Sequence, residues 1–336
     1  MVQSSQPMRG TTEAGSSTGS FNYLDPSVEP SLYRNGRVLV RRDRDGSDDG
    51  AEGLLIERRS VPVDDARELA PDAACTLARN GFEFHTRPLL DPDLDFLQHE
   101  PVVRQYYNEC ADLIREVTGA THVTAFDHNV RSAQGKKSQT RISGGQQVQP
   151  PAHMVHGDYT LTSAPQRMRD LAAPPTGNDT LRRFLPEDEA LIDPRLVEQA
   201  LSSTGRFAII NAWRNISPTP VAAHPLALCD AQTVVPGDLV VFEIHYPDRV
   251  GENYFARYAP RHRWYFYPAL TRDEVLLIKQ WDSAGPLARS QGECGDASDA
   301  EAPCTFSFHS AFRDPKTPAD APDRWSIEVR CAVFYA

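Results

Sequence analysis

Thr271-Arg272-Asp273-Glu274-Val275-Leu276-Leu277-Ile278 can be read in two ways, and the choice decides the fold. Threonine and glutamate three residues apart have the form of a capping box, which alone predicts a helix through Leu277. The apolar run after it is short and bounded by turn signals, which suits a buried strand after a single helical turn. We take the strand. The surrounding chain agrees: segments 207–213, 233–244, 263–267, 275–281 and 326–334 are rich in Val, Ile, Phe, Tyr and Trp and separated by Pro, Gly, Asp and Asn.

Further out the pattern changes. Between 101 and 119 the residues Val102, Val103, Tyr106, Tyr107, Cys110, Leu113, Ile114 and Val117 recur at three and four, with Pro101 opening and Gly119 closing the run. This predicts an amphipathic helix with its tyrosines packed inward. A second helix is expected near 195–201, after Asp193-Pro194. The polar run 41–50 reads as a turn between strands, and residues 1–20, nearly devoid of apolar side chains, as a disordered tail. A helical N-terminal portion followed by seven or eight short strands without intervening helices does not suit a parallel βαβ sheet and fits a sandwich or closed barrel with helices packed outside better.

Composition narrows the functional classes. The chain has 336 residues, 40% of them hydrophobic, and a net charge of −11 with scattered basic residues. No basic stripe favours nucleic acid or anionic lipid, so a small-molecule partner is expected. The N-terminus lacks a secretory signal and no run reaches the roughly 18 apolar residues of a membrane span, which predicts a cytoplasmic protein. The six cysteines form no CxxC pair and read as buried hydrophobes or idle thiols, although Cys294 and Cys304 could pair if the chain were exported. The oligomeric state stays open, a homodimer included.

Chemistry concentrates in His153-Met154-Val155-His156-Gly157-Asp158-Tyr159-Thr160. In an extended strand His156 and Asp158 point to the same side, so an imidazole and a carboxylate would share one metal, with His153 off that face. In a chain with ten histidines this pair alone says little. A third ligand is needed, and His309, alternating with aromatics in Phe306-Ser307-Phe308-His309, is the candidate by context. Two histidines and one carboxylate leave positions open for oxygen chemistry at non-haem iron. Downstream, Arg324, Ser326, Glu328 and Arg330 fall on one strand face opposite Trp325, Ile327 and Val329. Arg and Ser two apart can grip a carboxylate, though surface ion pairs on an edge strand are an equal alternative.

The blocks VHGDYT, GRFAIINAWRNISP with HPLALCD, YAPRHRWYFYPALTRDEVLLIKQWDS, and FHSAFRDP with WSIEVRCAVFY resemble the CmcJ/AsaB/gibberellin desaturase-like family of Fe(II)/2-oxoglutarate-dependent oxygenases, from about Phe21 to the C-terminus. The resemblance implies an α+β fold with a mostly β core, a double-stranded β-helix (jelly-roll or cupin-like) with flanking helices. It implies a single domain over 21–336, with an N-terminal α/β extension to about 145 and the core from about 146. It also implies secondary-metabolite chemistry with Fe(II), 2-oxoglutarate and O2, in which a ferryl-oxo species hydroxylates, desaturates or oxidatively cyclises a small molecule and succinate and CO2 are released.

Carried over, His156, Asp158 and His309 match the metal ligands, and Arg324 and Ser326 the element that anchors the co-substrate. Arg330 is a reserve anchor, and Arg214 a candidate for the co-substrate or a substrate carboxylate. Asp158 occupies the position a halide would need, which disfavours halogenation. Tyr159, Trp213, Tyr265 and Phe308 are candidates for a substrate wall. The acidic insert 290–305 is a lid or a longer loop, and His224, where an acidic residue is expected, is left without a role. His128, His245 and His262 are read as ordinary hydrogen-bonding histidines. A zinc hydrolase on the same three ligands, or a binding β-barrel without catalysis, are the competing classes.

Overall fold

The computed structural model describes residues 17–42, 48–176, 179–247 and 249–336. Its strands in chain order are β1 (Ser17–Leu24), β2 (Leu39–Arg42), β3 (Asp48–Glu52), β4 (Ile56–Asp65), β5 (Phe82–Thr86), β6 (His122–Arg131), β7 (His156–Gly157) and β8 (Phe207–Asn215). The remainder are β9 (Leu226–Cys229), β10 (Leu239–His245), β11 (Val250–Ala256), β12 (Trp264–Phe266), β13 (Glu274–Asp282), β14 (His309–Ala311) and β15 (Ser326–Phe334). One sheet has ten strands in the order β1-β4-β12-β9-β14-β7-β11-β10-β2-β3, the other five in the order β5-β13-β8-β15-β6.

The strand reading at 271–278 is correct. The Glu274 carboxylate accepts from the Thr271 amide and hydroxyl, so the capping-box contacts form, but they close a turn that opens β13. β13, buried from Val275 onward, lies between β5 and β8, where aliphatic side chains on both faces are covered.

Alternation along the five-stranded sheet separates two layers. Ile209 of β8 and Ala332 and Phe334 of β15 face the ten-stranded sheet in one core. Ala208, Ile210 and Ala212, with Ile327, Val329, Cys331 and Val333, face outward onto helix Tyr107–Thr118 through Tyr107, Cys110, Leu113 and Ile114. That helix ends at Gly119 in the left-handed conformation (φ 66°), as its sequence predicts. Its first part differs, because residues Val102–Tyr106 form a π-helical turn. Pro194–Ala200 is the second expected helix, with the Asp193 side chain accepting from the Arg195 amide.

The N-terminal part departs most from the sequence reading. It supplies six strands, β1 to β6, to both sheets, and residues 17–20, assigned to the tail, pair with β4 in β1. Gly19 permits this, since a Cβ there would meet the rings of Phe21 and Phe312 at 2.7 Å. Residues 1–16 of the expected tail, and 43–47 of the turn, lie outside the described residues. Among the described residues no helix is long and apolar enough to cross a membrane. The six cysteines are all free, so Cys294 and Cys304 do not pair.

Candidate metal centre

β7 has only two residues, yet it carries the site because of its neighbours. It pairs antiparallel with β14 in a register that sets His309 directly opposite His156. Directly opposed residues share a face, so the two imidazoles meet with ring centroids 4.3 Å apart. Two residues on from His156, Asp158 returns to the same side. Its Oδ1 lies 3.6 Å from His156 Nε2 and 4.0 Å from His309 Nε2, and one atom from each side chain falls within 4.8 Å of the others. The structure thus brings together all three ligands named from the sequence. Gly157 sits between them because a Cβ would meet the Phe306 ring at 2.8 and 2.9 Å.

The surroundings prepare this set for a cation. His156 Nδ1 bonds the Met154 carbonyl at 2.7 Å, which places its proton on Nδ1 and turns Nε2 toward Asp158. Burial lowers His309 and, with help from His309, lowers His156 to about 4, so both rings are neutral and able to ligate near pH 7. Burial would raise the Asp158 carboxyl, but Arg330, His309 and His156 outweigh it and hold the group well below the usual carboxylate range.

The second oxygen of Asp158 is held from the facing sheet. Asn211 Nδ2 of β8 donates to Oδ2 at 3.2 Å and Arg330 Nε of β15 at 3.3 Å, while the Asp158 amide donates to Gln280 Oε1 of β13. Oδ1 is left toward the histidines. Sequence reading missed Asn211 and Gln280. The available signal was a polar residue in the middle of an otherwise apolar, buried strand.

Arg324, Ser326, Glu328 and Arg330 do share one face, but β15 lies between β8 and β6, so the edge-strand alternative falls. A small, partly open cavity is lined by His156, His309, Arg131, Trp213, Arg324 and Glu328. Arg324 is 3% exposed; its Nη1 donates to the His224 carbonyl and its guanidinium lies 5.5 Å from the Trp213 ring, while Nε has no partner. Burial, then repulsion from Arg131, lowers it to about 9. The Ser326 hydroxyl beside it is also buried without a partner. A buried cation and hydroxyl with no acidic partner among the described residues have the chemistry to receive a carboxylate.

The other two arginines are committed elsewhere. Arg330 binds Asp127 (2.9 Å), Asp158 (3.3 Å) and Glu328 (3.4 Å), so the reserve anchor is instead the counter-charge of three carboxylates. Arg214 faces away from the triad. It alternates with Trp213 on β8, which places it on the outer side, where it donates to Tyr106 Oη and to the carbonyls of Arg272 and Arg87. Of the wall candidates, Trp213 lines the cavity and Tyr159 packs against the inner core, whereas Phe308 is inside that core and Tyr265 belongs to a separate cluster. His153 packs edge-on to His224 at 5.0 Å, away from the ligand set. His128 bonds Tyr107, His245 bonds Glu243, and His262 bonds Asp238 and Tyr23. Segment 290–305 is a pinned loop, because the buried Asp296 carboxylate accepts from the Leu287 and Thr305 amides and the Thr305 hydroxyl.

Two curled sheets facing across a buried His-Asp-His set define a mononuclear-metal enzyme on a double-stranded β-helix. The chain belongs to the family described as the oxidoreductase/YMDC permease-like domain, whose model matches residues 21–334. An "uncharacterized protein in dcmA 3'region" of Methylophilus leisingeri is 45% identical over 195 residues, 58% of this chain and 88% of that one. The "hydroxylase/desaturase poxK" of Penicillium oxalicum is 30% identical over 72% of this chain and 69% of its own. A solved structure titled "iron and alpha-ketoglutarate-dependent endoperoxidase NvfI with different conformation" superposes with a TM-score of 0.67 at 25% identity, over 97% of this chain and all of that one.

Proposed function

We propose that His156 Nε2, Asp158 Oδ1 and His309 Nε2 hold one Fe(II), and that Arg324 and Ser326 bind the distal carboxylate of 2-oxoglutarate in the adjoining cavity. The enzyme is a non-haem iron, 2-oxoglutarate-dependent dioxygenase that acts on a small molecule, like the relatives named hydroxylase/desaturase and Fe(II)/2-oxoglutarate-dependent dioxygenase. The observation that carries the residue assignment is the coincidence, in one cavity, of the neutral histidine pair with the buried Arg324 guanidinium, which joins no ion pair among the described residues, two positions from a Ser326 hydroxyl that has no hydrogen-bond partner.

When bound, iron and 2-oxoglutarate supply dioxygen activation coupled to decarboxylation of the ketoacid, with succinate and carbon dioxide as co-products. The chain's own residues supply geometry and access. Asn211 and Arg330 hold Asp158 Oδ2 and leave Oδ1 turned toward the histidines, where it would be available to a metal ion. The Met154 carbonyl fixes the His156 ring. Trp213 lies against the Arg324 guanidinium and shields it from water, which strengthens its hold on an anion.

A zinc hydrolase would need no buried carboxylate grip beside the ligands, and a binding barrel would need no neutral histidine pair, so both fit less well. The six free cysteines suit a reducing compartment, which supports a cytoplasmic location. The test adds Fe(II) and 2-oxoglutarate to the metal-free protein without oxygen, looks for an iron-to-ketoacid absorption band, then admits air and measures succinate. The band and succinate are expected. A band that persists in His309→Ala would overturn the ligand assignment, and zinc-supported turnover without oxygen would favour the hydrolase.

A further inference from the structure

The cavity beside the triad contains a second guanidinium that the reading above does not use. Arg131 ends β6 directly across from Ser326 of β15, so the two side chains share the inner face. It lines the same cavity as Arg324. Its guanidinium donates through Nη1 to the Pro150 carbonyl at 3.0 Å and joins no ion pair among the described residues. Two cations therefore face one chamber whose lining offers a single carboxylate, Glu328, and that group is already bonded by Arg330.

The two arginines lie at different depths. Arg330, on the inner face of β15, reaches Asp158 of the triad at 3.3 Å, and Arg131 stands opposite Ser326, four residues back along the same strand. Arg324 lies two residues before Ser326, further again from Arg330 and the triad. Along the cavity the order is triad, Arg131, Arg324. A ligand that neutralises both cations while reaching the metal carries one carboxylate near the triad and a second further away.

We propose that Arg131 is a second co-substrate-binding residue, holding the carboxylate adjacent to the keto group of 2-oxoglutarate while Arg324 and Ser326 hold the far one. This rests on the proposed 2-oxoglutarate site. It divides recognition in a way that two ketoacids distinguish, because 2-oxobutyrate retains the keto-carboxylate end and lacks the distal carboxylate.

The experiment titrates anaerobic Fe(II)-loaded protein with each ketoacid and reads the affinity from the iron-to-ketoacid absorption band, with thermal unfolding as a check on folding. Arg131→Gln should weaken both ketoacids by about tenfold or more, the scale of a lost charge-assisted bond. Arg324→Gln should weaken 2-oxoglutarate by a similar factor and leave 2-oxobutyrate within about twofold of the unsubstituted protein. If Arg131→Gln does not fold, Arg131→Lys keeps the charge without the planar fork and should weaken both ketoacids by a smaller factor. Affinity for 2-oxobutyrate unchanged in the Arg131 variant that folds, or lost equally in Arg324→Gln, overturns the division. Absence of any band in the unsubstituted protein would instead overturn the proposed function itself.

Discussion

Arg330→Met separates two accounts of this arginine. If it were the ketoacid anchor, its loss would leave the ligand-free protein almost unchanged and weaken 2-oxoglutarate. The geometry requires the reverse. The guanidinium contacts Asp127, Asp158 and Glu328 with only 12% of its side chain exposed, and removing one partner of a buried pair costs about 3–5 kcal/mol. Two features place the loss near the lower end of that range: Asp127 is 22% exposed and gains water, and Glu328, which burial and Asp158 already raise, can take up a proton. About 3 kcal/mol lowers the midpoint of a domain this large by about 6–12 °C. The sign with pH follows from Asp158. Its native carboxyl is depressed, so its contribution is present above the unfolded value of about 4 and lost as pH falls through the native one. The gap between the two proteins should therefore narrow on acidification below about pH 4. Thermal unfolding of ligand-free protein at neutral and acid pH is the assay. A variant midpoint within about 2 °C of the unsubstituted protein at neutral pH would refute the reasoning.

Arg324→Met replaces a buried cation that has no carboxylate partner among the described residues with an apolar chain of similar reach. It should raise ligand-free stability by about 1–4 kcal/mol while abolishing the stabilisation by 2-oxoglutarate, which for the unsubstituted protein is about 2.7 kcal/mol at a hundredfold excess over Kd. Gly157→Ala drives a methyl into the Phe306 ring, an overpacking of about 1–3 kcal/mol that should part His156 from Asp158. A Mn(II) titration should then show weaker binding, and unchanged affinity would exclude the steric account. His128, buried against Tyr107, titrates near 4 in the folded protein against about 6.5 unfolded, so the unfolded chain takes up its proton first and stability falls as pH drops from 7 to 5, by about 2 kcal/mol for this residue. His128→Gln should flatten the acid limb of a denaturant-unfolding series by that amount.

What could be read along the chain was whatever depends on spacing within one element. The turn-then-strand at 271–278, the helix closed by Gly119, the shared side of His156 and Asp158, and the common face of Arg324 to Arg330 all follow from a period of 2 or 3.6. The same parity could have shown that Arg214, next to Trp213 on β8, points to the opposite face. The N-terminal strands were harder to see. β4, Ile56–Asp65, runs Glu57-Arg58-Arg59 together, ends in two aspartates and buries only Val61 and Val63, so its partners stabilise it more than its own propensity does.

The sequence by itself determined that this chain builds a mostly β enzyme and that His156, Asp158 and His309 are the residues to watch. Only the tertiary structure decided that they meet, because the pairing of a two-residue strand with β14 sets His309 opposite His156 across a long stretch of chain. It also decided which arginine, Arg324 or Arg330, lines the cavity beside the triad. Arg324 lies just before β15 on the same side as Arg330 within it, and what separates them is that three acidic side chains, two from other strands and loops, converge on Arg330 while among the described residues none pairs with Arg324. Charge compensation depends on distances through space, which local periodicity does not encode.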